Sequence, residues 1–300
     1  MKIEKALYNW YLHNSSLKII TKEHLFFQFL LLWKEGSYEG KSFTNTSYRH
    51  NFNHSFEKVE EYFRKDKNLL VQDKLHGKYS HVIKSNEKMT PEEAICSLYP
   101  LGYFNYLTAL QKYGLTEIQS KKIYFSIISR NDWNTFFQNL LSQIDYSYLP
   151  QRYDLDLKKL KPIYPKESYF NYKKIILVQQ KKIDLYNNIN NLRVNSIGSL
   201  FIDITRKPEL SGGFDTVKEC YKKFSQKYLN EIYTAINTKG TSIDKARVGY
   251  LLDKVAGIQD STIREWKRNM VGLRGSSRKL IASEPFAPTF DPEWNISLNI

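Results

Sequence analysis

Three hundred residues, 41% hydrophobic and 15% aromatic, supply enough apolar surface for two domains with cores of their own. A formal net charge of +14 favours phosphate backbones or an acidic protein as partner, and two cysteines far apart in sequence exclude a disulfide framework or a zinc cluster. No apolar run approaches the ~18 residues of a membrane span, and the N-terminus lacks an apolar secretory core, so a cytoplasmic protein with reduced thiols and no membrane contact is expected.

Ile3, Leu7, Trp10 and Tyr11 form a first helical stripe. A second helix starts after the cap-like Thr21, carries Leu25, Phe26, Phe29, Leu30 and Trp33, and stops before Gly36. After a polar loop, TSYRHNFNHSFEKVEEYFRKD predicts a third helix with Phe52, Phe56, Val59 and Phe63 on one narrow stripe. Asn68 to Lys84 then alternates around His76-Gly77 as a β-hairpin with a basic rim. Helix, helix, helix, hairpin is the order of a winged helix-turn-helix. The polar stretch SNEKMTPEE places a boundary after it, giving a DNA-binding domain over 1–88 and a second domain over 89–300.

The second domain opens with LGYFNYLTALQKYGLTEIQSKKIYFS, in which Asn105 caps a short helix over Tyr106–Tyr113 and Gly114 ends it. Apolar runs KIYFSII, KIILV and SLFIDI alternate with helical segments, so the fold class is α+β: a winged helix-turn-helix followed by a mixed α/β domain. Lys158 to Lys182 holds eight lysines against one glutamate, interleaved with Tyr164, Tyr169, Phe170 and Tyr172, which gives this domain a basic surface of its own.

A recognition helix meets base edges with its N-terminal part, here Ser47, Tyr48, Arg49, His50, Asn51, Asn53 and His54. Arg pairs with guanine and Asn with adenine through two hydrogen bonds each, so Arg49, Asn51 and Asn53 suit base reading. Lys74, His76, Lys78 and Lys84 on the hairpin suit phosphate contact. Glu57 and Glu61 would repel phosphate and confine docking to the first two turns. The bland alternatives are an ordinary solvated helix face and a charge-protected sheet edge.

Catalytic chemistry finds little support. No Gly-rich phosphate loop, nucleophile elbow or thiol pattern is present, and all six histidines precede residue 82. His50 and His54 have metal-ligand spacing without a third ligand, so no metal or other cofactor is assigned. The best enzyme candidate is Asp203 in SLFIDITRKPE, expected at a strand end, where with Glu209 it could hold a divalent metal as in nucleases. The competing reading makes Asp203 a structural aspartate turned toward Arg206.

The ordered segments YFNYLTALQKYGLTEIQSKKIYFS, GSLFIDITRKPELSGGFDTV, KARVGYLLDKVAG, RGSSRKLIASEP and EWNISLN, behind a basic winged helix-turn-helix, resemble the AbiEi antitoxins. These are the transcriptional-regulator halves of type IV toxin–antitoxin systems, which act in phage defence by abortive infection. The resemblance covers much of residues 90 to 300. The chain departs from the common pattern in the long loop KEGSYEGKSFTNTS and in the serines of RGSSRK. What the resemblance implies is a non-enzymatic antitoxin that represses its own promoter through the N-terminal domain and neutralises a cognate nucleotidyltransferase toxin through the C-terminal one. Lys245, Arg247, Arg274, Arg278 and Lys279 are the candidates for a basic surface of antitoxicity, although Arg247 and Arg278 would also serve to fix local structure. A metal-dependent nuclease and a regulator without a toxin partner are the alternatives.

Overall fold

Local chemistry sets the ends of the first helices. A computed structural model describes residues 1–14, 19–44, 52–65, 71–72, 80–82, 90–143, 145, 161–170, 172–183, 185–270 and 278–300. Helix α1 (Ile3–Asn14) is followed by strand β1 (Ile19–Thr21) and helix α2 (Lys22–Glu35). The Thr21 hydroxyl accepts the His24 amide at 3.2 Å, and Gly36, at φ 67°, closes α2 by donating to the Leu32 carbonyl. Strands β2 (Ser37–Tyr38) and β3 (Lys41–Ser42) form a small hairpin in the polar loop. Helix α3 (Phe52–Lys65) precedes β4 (Val71–Gln72) and β5 (Ser80–Val82).

The two strand-like runs pair antiparallel, with Val71 opposite Val82 and Gln72 opposite His81; His76-Gly77 lies outside the described residues. Sequence reading missed β1, which pairs antiparallel with β5 (Ile19 opposite Val82) and makes a three-stranded sheet in the order β1-β5-β4. A three-residue strand offers too little alternation to register.

Two compact units emerge, one from residues 1–101 and 128–171, the other from 102–127 and 172–300. The boundary expected after residue 88 falls outside the described residues. The first unit packs around rings: Phe26 lies 4.5 Å from Phe56 and Phe29 lies 5.4 Å from Phe56 and 5.3 Å from Trp33, centroid to centroid. Lys22 reaches Glu60 at 2.8 Å and ties α2 to α3. Helix α4 (Pro91–Leu98) carries proline at its first position behind a Thr90–Glu93 capping box, a signature that the polar reading of SNEKMTPEE passed over.

The second unit starts with strand β6 (Tyr103–Phe104), helix α5 (Tyr106–Lys112) and strand β7 (Lys122–Ile128). The chain then supplies helix α6 (Arg130–Ser142) and strand β8 (Ser168–Phe170) to the first unit. It returns with β9 (Lys173–Gln180), β10 (Tyr186–Ile189) and β11 (Leu192–Asn195), and the second unit's sheet runs β10-β11-β6-β7-β9. The sheet is mixed, since β11 lies parallel to β6 while β10/β11 and β6/β7 are antiparallel. The fold is α+β.

Helices α7 (Ile197–Arg206), α8 (Phe214–Phe224), α9 (Leu229–Lys239) and α10 (Ser242–Tyr250) follow. A π-turn over Leu251–Val255, α11 (Ser261–Met270), β12 (Phe290–Asp291) and β13 (Ile296–Ser297) complete the chain. The run SLFIDI, expected as a strand, is the middle of α7. Six residues are few enough to read as a buried strand; the helical signal that was passed over is the spacing of Ser199, Asp203 and Arg206 by four and three residues. Gly198 permits its close seat on α9, because a Cβ there would lie 2.0 Å from the Glu231 carbonyl oxygen.

Candidate functional site

Parallel pairing of Val194 with Phe104 brings two asparagines out of the sheet side by side. Asn105 caps α5, and Asn195 stands two residues before α7. From α7 the Asp203 carboxylate meets both: its Oδ2 accepts the Asn105 amide at 2.8 Å and the Asn195 amide at 3.1 Å, while the Asn195 amide also donates to Asn105 Oδ1 at 3.0 Å. Asn105 donates further to Ser126 Oγ at 3.0 Å, and Gln180 donates to Ser126 Oγ at 3.1 Å and to the Tyr106 hydroxyl at 3.2 Å. Asn105, Ser126 and Asn195 are fully buried.

Tyr106, at φ 51°, occupies the left-handed region, a conformation that costs a tyrosine about 1–3 kcal/mol and persists where neighbours over-determine it. Its backbone N–H donates to Asn105 Oδ1 at 2.8 Å. Burial, reinforced by the Asp203 charge, drives the Tyr106 hydroxyl far above its ordinary pKa, so it stays protonated.

Arg206 extends the circuit. It lies 3.4 Å from Asp203 Oδ1 and grips both oxygens of Asp244 at 2.8 and 2.7 Å. Asp244 also closes a capping box with Thr241, accepting the Thr241 amide at 2.8 Å and hydroxyl at 2.6 Å. Burial pushes the Asp244 carboxyl pKa up, but the bonds from Arg206 and Thr241 outweigh it and hold the value below the ordinary one.

This arrangement orients elements. Asp203 is 2% exposed, both its oxygens are engaged, and Glu209 is exposed. Among the described residues no three His, Cys, Asp or Glu side chains converge as a metal site would need.

A second cluster joins segments far apart in sequence. Trp294 stacks on Gly249, where any Cβ would fall 2.0 Å from the ring, and its indole donates to Asp253 Oδ2 at 3.0 Å from within the π-turn. Lys267 stands 2.7 Å from the same oxygen, and Glu293 pairs with Lys254 and Lys267. Arg247 donates to the Lys279 carbonyl at 2.8 Å, and Lys279 bridges to Ser297. KARVGYLLDKVAG, RKLIASEP and EWNISLN, separate in sequence, therefore meet in one place. Beside them runs a groove of about 660 Å³, lined among the described residues by Ser261, Arg264, Lys267, Arg268 and Glu293.

Of the expected DNA-contacting residues, Ser47, Tyr48, Arg49, His50, Asn51, Lys74, His76, Lys78 and Lys84 lie outside the described residues, as does the Asn53 side chain. His54 is exposed, 3.7 Å from Glu57. Of the basic candidates in the second unit, Arg274 lies outside the described residues. Arg247 is buried at 7% exposure and held inside, while Arg278 reaches Ser242 Oγ at 2.9 Å and Met270 Sδ at 3.2 Å. Lys245 sits over the Trp266 ring and Lys279 over Phe286. Sequence reading missed Arg264 and Arg268, which fall in no recognisable motif; their i, i+4 spacing was the available signal.

No family model matches the chain, and no curated protein matches it. Among solved structures it is similar to the crystal structure of RV2827C protein from Mycobacterium tuberculosis, with 10% identity over 98% of this chain and 90% of that one and a TM-score of 0.45.

Proposed function

We propose that the chain is a DNA-binding repressor and antitoxin of the AbiEi kind. The first unit supplies a winged helix-turn-helix and the second neutralises a nucleotidyltransferase toxin encoded beside it. The observation that carries the DNA-binding half is the pairing of β1 with β5, which completes the order helix, strand, helix, helix, strand, strand around one small sheet. That is the framework in which α3 serves as recognition helix and β4/β5 as wing. The net charge of +14 supports the same assignment. The antitoxin half rests on the ordered segments of the second unit, several of which converge on Trp294 and Asp253. Commitment of Asp203 to two asparagines and Arg206 supports a scaffolding role for it over the nuclease alternative.

Gel retardation with the DNA upstream of the gene tests the first half. Arg49→Ala or Asn51→Ala is expected to cost about 1–3 kcal/mol and to relax specificity, whereas Lys74→Ala or Lys78→Ala weakens all sequences alike. Equal, sequence-blind losses in both classes reject the assignment. Co-expression with the neighbouring reading frame tests the second half: growth rescue is expected, and a folded chain that fails to rescue leaves a regulator without a toxin partner.

A further inference from the structure

We propose that the groove along α11 is a phosphate-binding surface that holds a nucleic-acid backbone through Arg264 and Arg268, independently of the first unit. These residues stand one turn apart on a helix, where i and i+4 side chains are neighbours, and both line the groove. They are exposed, and their side chains make no ion pair or hydrogen bond among the described residues, Glu265 included. The contrast with the adjacent lysines is informative. Lys254 and Lys267 are matched by Asp253 and Glu293, so the groove's own carboxylate is spent on them and the two arginines remain as its uncompensated charge.

The helix that carries them is held on several sides. Asp260 accepts the Ile263 amide at 2.9 Å and the Tyr233 hydroxyl at 2.7 Å, Tyr233 meets the buried Trp266 edge-on, and Lys267 is anchored to Asp253. Because the helix is already fixed, binding has to order the two arginine side chains but not the backbone that carries them. A guanidinium fork matches phosphate oxygens two at a time, and Ser261 adds a hydroxyl at the end of the groove. At about 660 Å³ and open to solvent, the groove has room for more than a single ion.

The test uses the full chain with fluorescently labelled single-stranded RNA, single-stranded DNA and a DNA duplex of unrelated sequence, titrated across salt concentrations. Arg264→Ala/Arg268→Ala, placed at exposed helical positions where alanine is well tolerated, should keep the melting temperature. It should lower the slope of log K against log salt by about 1.8 on the duplex and about 1.4 on the single strands, roughly 0.9 or 0.7 for each phosphate no longer neutralised. Arg264→Lys/Arg268→Lys should keep the slope while weakening binding, because the charge remains and the fork does not. The RNA and DNA arms identify which backbone is preferred. An unchanged slope in the folded alanine variant overturns the proposal, as does a full chain that binds none of the probes. Displacement of the probe by poly-glutamate at matched charge overturns it in favour of an acidic protein, and saturable binding of a free nucleoside triphosphate in its place overturns the polymer ligand. Loss of operator specificity through first-unit variants, with this slope intact, would concern the preceding section alone.

Discussion

Each unit contains a threonine capping box, one closed by Glu93 and one by Asp244, and the two differ most in their surroundings. At Thr90 the Glu93 carboxylate accepts the Thr90 amide and hydroxyl at 2.8 and 2.9 Å on an exposed helix end. At Thr241 the equivalent carboxylate, Asp244, is 3% exposed and shared with the Arg206 fork, which in turn touches Asp203. The first box ends a helix. The second joins that helix to α7 and, through Asp203, to the ends of β6 and β11. A local motif thus becomes a tertiary joint when its acid is buried and finds a second cation, and satisfied networks of this kind specify one arrangement of elements.

Asp244→Ala should break the comparison most sharply. Removing the buried partner of a forked, part-buried ion pair leaves Arg206 only its 3.4 Å contact with Asp203 and leaves the Thr241 amide and hydroxyl unmet, at a cost of about 2–3 kcal/mol in urea unfolding followed by tryptophan fluorescence. The same protein supplies a pH signature. Because the folded pKa of Asp244 is depressed, its stabilisation is fully present above the unfolded value of about 3.9 and is lost as pH falls through the folded one. The stability gap between wild type and Asp244→Ala should therefore narrow only in acid, and a gap constant down to pH 3, about one unit below that unfolded value, contradicts the coupling. Thr241→Ala removes one cap and one partner of Asp244 but leaves the Arg206 fork, so about 1–2 kcal/mol is expected from the same unfolding curve. Thr90→Ala should cost the least, about 0.5–1 kcal/mol, read from thermal melts of helical circular dichroism. Equal losses at the two threonines would dissolve the distinction.

Much of this fold could be read from the residues. Thr21 and Asn105 start helices through their side-chain oxygens, Gly36 and Gly114 stop them through a left-handed backbone, and 71–72 pairs with 81–82 as the two strand-like runs suggested. The site was harder to read for definite reasons. Asp203 was legible as a candidate but was placed at a strand end, since a run of six apolar-rich residues is short enough to read as a buried strand. Arg206, three positions on, was expected beside Asp203 from the sequence, whereas Asn105 and Asn195 join it through the parallel pairing of β6 with β11, a long-range event with no local trace. Arg247 read equally as a surface cation and as an arginine fixing local structure; the second is what is found, although nothing in its sequence neighbourhood names the carbonyl 32 positions away.

The separation of Asn105 from Asp203, 98 positions along the chain, has a consequence for biosynthesis. Strand β6 leaves the ribosome early, yet the carboxylate that satisfies its terminal asparagine is made later, after a segment that returns to the first unit. At elongation rates of about 5–20 residues per second, the start of the second unit waits roughly 5–20 s for its partner. During that interval the nascent chain carries the β6–β7 hairpin with its polar cap unmet, a window in which a chaperone or a protease competes with completion of the domain.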